Sequence, residues 1–254
     1  MNWNVPVAEL LAIMLGAART GAWMIICPPF NSRLIPGTIK VLLSIGLTLP
    51  MAPYLRSTIP SLETADIIAS AALQVFIGAA LGFITALLFA ALQAAGDLLD
   101  LFGGFTLAMG YDPLSMNQSS VFGRFYNLVA ATLLFATEGH QLILRGFLQS
   151  FQTIPLNAGL NMSTFSQLLI EGIGEMFLAA LQIAGPLIAV LFLTDVAFGL
   201  LNRVAPALNA FQLGFPAKIF LVLLLSGLAI TTLPAVVDTL VEKAVNAVLN
   251  LTGG

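Results

Sequence analysis

The chain reads as six apolar runs separated by short polar or broken stretches. The first, residues 5–29, carries Glu9 near its start and Arg19 inside it, and stops at Pro28-Pro29. A basic loop with Arg33 and Lys40 leads into the second run, whose uncharged part, 41–55, contains Pro50 and Pro53. As a helix that part reaches about 22 Å, short of a hydrocarbon slab of ~30 Å. The third run is the opposite misfit: 67–96 holds no charge over 30 positions, or about 45 Å if wholly helical. One helix too short and the next too long predict packing against other protein over part of their length, with tilt as the plainer alternative.

A fourth helix is predicted to start near Val121, capped by Ser119 or Ser120, with an uncharged run from Phe125 to Thr137. Farther on, Glu138, Gln141 and Arg145 fall on one helical face as a polar strip. After Pro155 the stretch NAGLNMSTFSQ reads as a polar loop. The fifth run, Met176 to Thr194, is predicted to kink at Pro186. Residues 198–218 then form an apolar stretch broken by Gly199, Pro206, Gly214 and Pro216. The sixth run is Ile219 to Val237. Beyond Pro234 the pattern turns amphipathic, with Val237, Leu240, Val241, Ala244, Val245, Val248 and Leu249 on one face, predicting a tail helix against a surface or a partner.

Two local patterns stand out. Gly78, Gly82, Ala86, Ala90 and Ala94 recur every four residues, a ridge of small side chains that lets another backbone come close; the plain alternative is that membrane helices are rich in Gly and Ala. The second is Asp97 to Arg124, which by position is a loop. Gly103, Gly104, Gly110, Gly123 and Asp112-Pro113 break regular structure there, yet Leu101, Phe102, Phe105, Leu107, Met109, Tyr111, Leu114 and Met116 are large and apolar. Water has no use for such a loop. Lipid would leave its N–H and C=O groups without partners. Irregular backbone enclosed by protein or lining a cavity remains, which is how a plug made of chain would look.

Composition agrees with this pattern. The chain has 254 residues, 59% hydrophobic and 8% charged, against about 25% charged in a soluble domain; mean hydropathy is +0.99. The fold class expected is an all-α membrane protein of about six hydrophobic helices in hairpins, with an apolar, Gly-rich central loop. A membrane barrel would alternate polar and apolar positions, which these runs do not. The first residues lack a basic region and a small-residue cleavage site, so the first helix is expected to stay. Lys and Arg in the first and fifth loops predict that odd-numbered loops face the cytoplasm. One cysteine, Cys27, and one histidine argue against an internal disulfide and a metal site. No phosphate loop or dinucleotide fingerprint is present, no cofactor is implied, and a net charge of −3 argues against nucleic acid.

Few residues are candidates for chemistry. A charge at the centre of a membrane helix costs about 2.5–3.5 kcal/mol on insertion scales, so Arg19 and Asp195 each need a partner or a wet cavity. Pairing across helices is favoured over a proton relay, because neither is followed by further titratable groups at helical spacing. Asp195 and Arg203 share a face two turns apart only if the helix runs on through Gly199. Glu138 and His140 lack a nucleophile or metal partner and read as structural or interfacial. Met109 and Met116 are either core residues or an adaptable apolar seal.

LLNRVAP at 200–206, LGFP at 213–216, EGH at 138–140, the SF before Pro155, and Asp112-Pro113 in a Gly-rich loop together resemble the FliR family of type III export-gate proteins. The similarity covers roughly residues 8–240, and Glu138 departs from the Asp or Asn more usual before Gly-His. The resemblance implies a non-enzymatic subunit of a flagellar export gate in the bacterial inner membrane at the basal body. It implies assembly with FliP and FliQ, with FlhB and FlhA alongside, surrounding lipid, and unfolded flagellar proteins as cargo. It implies that 1–165 plays a FliP-like part and 166–254 a FliQ-like part, and that the central loop 97–124 is a plug. Phe105, Met109, Tyr111, Asp112, Pro113 and Met116 would then form its constriction. Two other readings stay open: a proton-coupled secondary transporter using Asp195 or Glu138, and a purely structural membrane scaffold.

Overall fold

The computed structural model describes residues 7–59, 63–106, 120–159, 161–206 and 210–252, and among these every regular element is helical. The order is α1 (Val7–Ile26), α2 (Gly37–Thr48), a 3-10 turn (Leu49–Met51), α3 (Ala52–Leu55), a second 3-10 turn (Arg56–Thr58), α4 (Thr64–Gly103), α5 (Val121–Ala136), α6 (Gly139–Thr153), α7 (Met162–Val204), α8 (Ala210–Ile230) and α9 (Leu233–Thr252). Four described stretches are long and apolar enough to cross a membrane: Val7–Ile26, Gly37–Thr58, Thr64–Gly103 and Met162–Val204. Two shorter apolar helices accompany them, Val121–Ala136 and Gln212–Gly227. The six apolar runs are therefore helical over most of their described length, the sixth being divided between α8 and α9 at Thr231 and Thr232.

Their lengths differ from the hydropathy reading, for local reasons. Pro50 and Pro53 do not end the second run. Each sits in the first positions of a new short helix, where a missing N–H costs nothing, so the chain stays helical to Thr58. α4 has 40 residues, about 60 Å. It continues through Asp97 and Asp100 to Gly103, so the first part of the expected central loop is helix. Gly104, with φ +83°, is the residue that stops it. α7 has 43 residues, about 64 Å. Its start lies inside the expected polar loop, because Asn161 Oδ1 accepts the backbone N–H groups of Ser163 (3.1 Å) and Thr164 (3.4 Å). Its end lies beyond Gly199, and Pro186 sits within it. Pro216, expected as a breaker, lies inside α8. Glu138 does not continue a polar strip with Gln141 and Arg145: it takes the left-handed conformation (φ 59°) between α5 and α6. The tail helix is α9, with Leu233, Val237, Leu240, Val241, Ala244 and Val248 buried.

The chain packs as two compact units. One comprises Met1–Leu88, Glu138–Gly172 and Leu240–Gly254; the other comprises Phe89–Thr137 and Ile173–Thr239. The boundary between the expected FliP-like and FliQ-like parts, residue 165, falls inside α7.

In the first unit α1 is the organising helix. It meets α2 through Thr20 and Thr48, whose hydroxyls are 3.1 Å apart, and through Gly16, where a Cβ would strike the Thr48 methyl. It meets α4 through Gly78 and Gly82: a Cβ at Gly78 would collide with the Arg19 carbonyl oxygen, and one at Gly82 would lie 3.0 Å from the Trp23 carbonyl oxygen. It meets α6 through Trp23, whose ring stacks on Phe147 at 4.4 Å.

Candidate gating site

The second unit holds the described ends of the expected plug. Phe105 is half-buried and meets the Phe122 ring edge-on at 5.3 Å. Met109, Tyr111, Asp112, Pro113 and Met116 lie outside the described residues. What the structure shows is how the stems on either side of residues 107–119 are held.

The outgoing stem, the start of α5, is held by acids on α4. Ser120 occupies the N-cap position, but its hydroxyl does not cap the helix; it donates to Asp97 Oδ1. The capping acceptor comes from elsewhere. Asp100 Oδ2 takes the N–H of Phe122 at 2.9 Å and lies 3.5 Å from that of Gly123. These are the second and third residues of α5, whose free donors and positive dipole end suit a carboxylate. The side chain of Asp100 is fully buried. Two glycines permit the approach: a Cβ on Gly96 would strike the Phe122 carbonyl, and one on Gly123 would strike the Asp97 carboxylate.

The incoming stem, the end of α4, is held by α8. Lys218 Nζ donates to the Phe102 carbonyl oxygen at 3.4 Å and pairs with Asp195 Oδ1 at 2.5 Å. Phe102 belongs to the last turn of α4, whose carbonyls have no partner inside the helix and whose dipole end is negative. Phe215, in the LGFP stretch, lies against Gly104, and Val222 against Gly103; a Cβ on either glycine would come within 3.1 Å or 2.8 Å of those side chains.

The other intramembrane candidates are distributed as follows. Arg19 is fully buried in the first unit, and no acid among the described residues is shown paired with it. Nε donates to Gln74 Oε1 (2.6 Å), while the terminal nitrogens donate to the carbonyls of Ser150 (3.2 Å) and Ile154 (2.8 Å), which end α6. The guanidinium also lies 4.5 Å over the Phe151 ring. Gln74 in turn donates to the Leu156 carbonyl at 3.1 Å. Asp195 therefore has a cationic partner on α8, and Arg19 a neutral cage. Arg203 and Glu138 are exposed and His140 is half-buried. Of the small-residue ridge, Gly78 and Gly82 are the positions shown against α1; Ala86, Ala90 and Ala94 are half-buried. No group of three metal-ligating side chains occurs among the described residues.

Sequence reasoning passed over Asp100, Gln74 and Lys218. For the first two a signal was present: two acids three residues apart at the end of a 30-residue uncharged run, and two amides, Gln74 and Gln93, inside it. What was missing was the partner, which in each case includes a backbone group far along the chain: Phe122 on α5, Leu156 in the turn after α6 and Phe102 on α4.

The fold and its held stems define a class: an all-helical membrane protein with an apolar segment anchored at both ends inside one helical unit. Residues 10–244 match the family described as bacterial export proteins, family 1, and the chain belongs to that family. It is similar to proteins named flagellar biosynthetic protein FliR. The one from Pectobacterium carotovorum subsp. carotovorum is 33% identical, the match covering 85% of this chain and 83% of that protein. The one from Bacillus subtilis is 30% identical, with 94% of each chain covered. The one from Escherichia coli K12 is 33% identical over 74% of this chain and 72% of that protein.

Proposed function

We propose that this chain is a non-enzymatic subunit of the flagellar type III protein export gate, in the bacterial inner membrane at the basal body. The observation that carries the reading is the family match, which spans nearly the whole chain, with relatives in distant bacteria that share one flagellar name. Its partners are then FliP and FliQ within the gate and FlhB and FlhA beside it, and its cargo is unfolded flagellar protein.

Within the gate, residues 105–116 act as the plug. The segment is mostly apolar, is interrupted by Gly110 and preceded by Gly103 and Gly104, and both of its stems are tied into one unit by carboxylate, ammonium and ring contacts. An apolar closure works by excluding water, so ions do not leak at rest. Phe105 at the incoming stem, with Met109, Tyr111, Asp112, Pro113 and Met116, would supply that seal.

The test is electrical. Deleting 106–116 and reconstituting the assembled complex in a planar bilayer is expected to raise resting ion permeability; an unchanged conductance would sink the plug. Partner assignment is checked by solubilising the complex in detergent and asking whether FliP and FliQ come out with this chain.

A further inference from the structure

We infer that residues 150–156, the end of α6 and the turn after it, are a latch, and that the first unit closes around α1 only when this latch is docked, independently of the gating reading above. Side chains from three other parts of that unit reach its backbone. Arg19 on α1 donates to the carbonyls of Ser150 (3.2 Å) and Ile154 (2.8 Å). Gln74 on α4 donates to that of Leu156 (3.1 Å). From α3 and the 3-10 turn after it, Tyr54 donates to the carbonyl of Gln152 (3.3 Å) and Thr58 Oγ1 accepts the N–H of Leu156 (3.4 Å). Arg19, Gln74, Ser150 and Leu156 are fully buried within the chain itself, and added lipid or partners can only bury them further.

This grip makes the seat of α1 conditional. Of the four hydrogen bonds shown for the Arg19 and Gln74 side chains, one joins the two and three end on the latch. With the latch away, a guanidinium and an amide would sit in an apolar core with those donors idle, and an unmade buried bond costs more than a made one returns. α1 therefore cannot hold Arg19 in place until a segment 131 to 135 residues farther along the chain arrives. That segment offers what a cation needs, because the last carbonyls of a helix run out of partners within it and lie at its negative end. Rings set the register. Trp23 stacks on Phe147 at 4.4 Å and Arg19 lies 4.5 Å over Phe151, two contacts one turn apart on both α1 and α6.

Hydrogen–deuterium exchange of the whole chain in detergent tests the latch, read at 15–24 on α1, at 150–158, and along α8 in the second unit as a reference. Arg19→Met and Gln74→Leu are each expected to raise exchange at 150–158 about tenfold, as the loss of one charge-assisted hydrogen bond would, and to leave α8 unchanged. The double variant should be no faster than the faster single one, because both side chains hold one latch. Ile154→Pro acts from the other side. Proline cannot take the φ of −119° found there and has no N–H for the Ser150 carbonyl. It should raise exchange at 15–24 by a similar factor.

Unchanged exchange at 15–24 in Ile154→Pro would overturn the inference, since α1 would then stay seated without the latch. A rise in Arg19→Met confined to α1 would overturn it too. So would an equal rise along α8, which marks a loss of global stability and no specific link between α1 and the latch. A rise of about a hundredfold in the double variant would show two independent contacts in place of one latch. Should Arg19→Met or Ile154→Pro fail to accumulate, Gln74→Leu decides alone: faster exchange at both 150–158 and 15–24 upholds the latch, and unchanged exchange at either removes it.

Discussion

Arg19 in one unit and Lys218 in the other solve the same problem by the same means, yet with opposite exposure. Each is a cation inside an apolar region, and each donates to carbonyl oxygens at the C-terminal end of a helix. Arg19 is wholly enclosed, and its partners are neutral: an amide, two carbonyls and the face of Phe151. Lys218 is partly open and its strongest partner is a half-exposed acid. The planar guanidinium can satisfy three acceptors in fixed directions, so it suits a permanent joint among α1, α4 and α6. The ammonium is a compact, rotatable head on a flexible stem, which constrains the direction of its contacts less. A charge in a membrane protein is thus better read by its exposure and its partners than by its presence.

That contrast can be broken by experiment, and the largest effect should come from the sealed side. Arg19→Met leaves Gln74 and the end of α6 with unpaired buried groups. It is expected to cost about 3–5 kcal/mol, seen as lost assembly or a lower melting temperature in detergent rather than as leak. Arg19→Met complexes that assemble normally but leak would erase the distinction between the two sites.

Next comes Gly78→Ala. Its Cβ would meet the carbonyl of Arg19, which is backbone and cannot swing aside, so α1 and α4 must separate. The expected cost is about 1–3 kcal/mol, again read as thermal stability; Gly174→Ala, on α7 with open space around it, is the matched control. Equal melting temperatures for the two would show that α1 and α4 do not approach as closely as described.

The smallest effect belongs to Asp100→Ala, which removes the cap of α5 at about 1–2 kcal/mol. Because it lies on the outgoing stem, its signature should be local. A cysteine placed at Met109 should become more reactive to a bulky maleimide, while the melting temperature falls by only a few degrees. Cys27 will not confuse the readout, since it is buried and burial pushes its thiol up. Equal labelling in the two backgrounds would mean that Asp100 does not restrain the segment.

Much of the architecture was legible because a bilayer leaves little freedom. Runs of uncharged apolar residues have to be helical there, since no solvent can satisfy an open backbone. The runs are mostly so, the sixth broken once between α8 and α9, and the face of α9 follows its amphipathic pattern. Helix ends were not legible. Hydropathy marks where charges stop, and α4 and α7 run past their charges: Asp97 and Asp100 have partners on α5, Asp195 has Lys218, and Asn161 starts α7 inside what reads as a polar loop. Proline misled at one point: Pro216, read as a breaker, lies inside α8.

By itself the order of residues determined the class of molecule, the helices and the unusual apolar centre, because these depend on summed hydrophobicity and on glycine's backbone freedom, both properties of short windows of chain. Tertiary structure alone decided which charges are sealed and which are open. It also decided that Gly78 faces a carbonyl, and that Asp100 and Lys218 hold the two stems of one segment. Those facts rest on partners up to 135 residues away in the chain, and most of the partners are backbone groups, which every residue carries and no sequence pattern can mark.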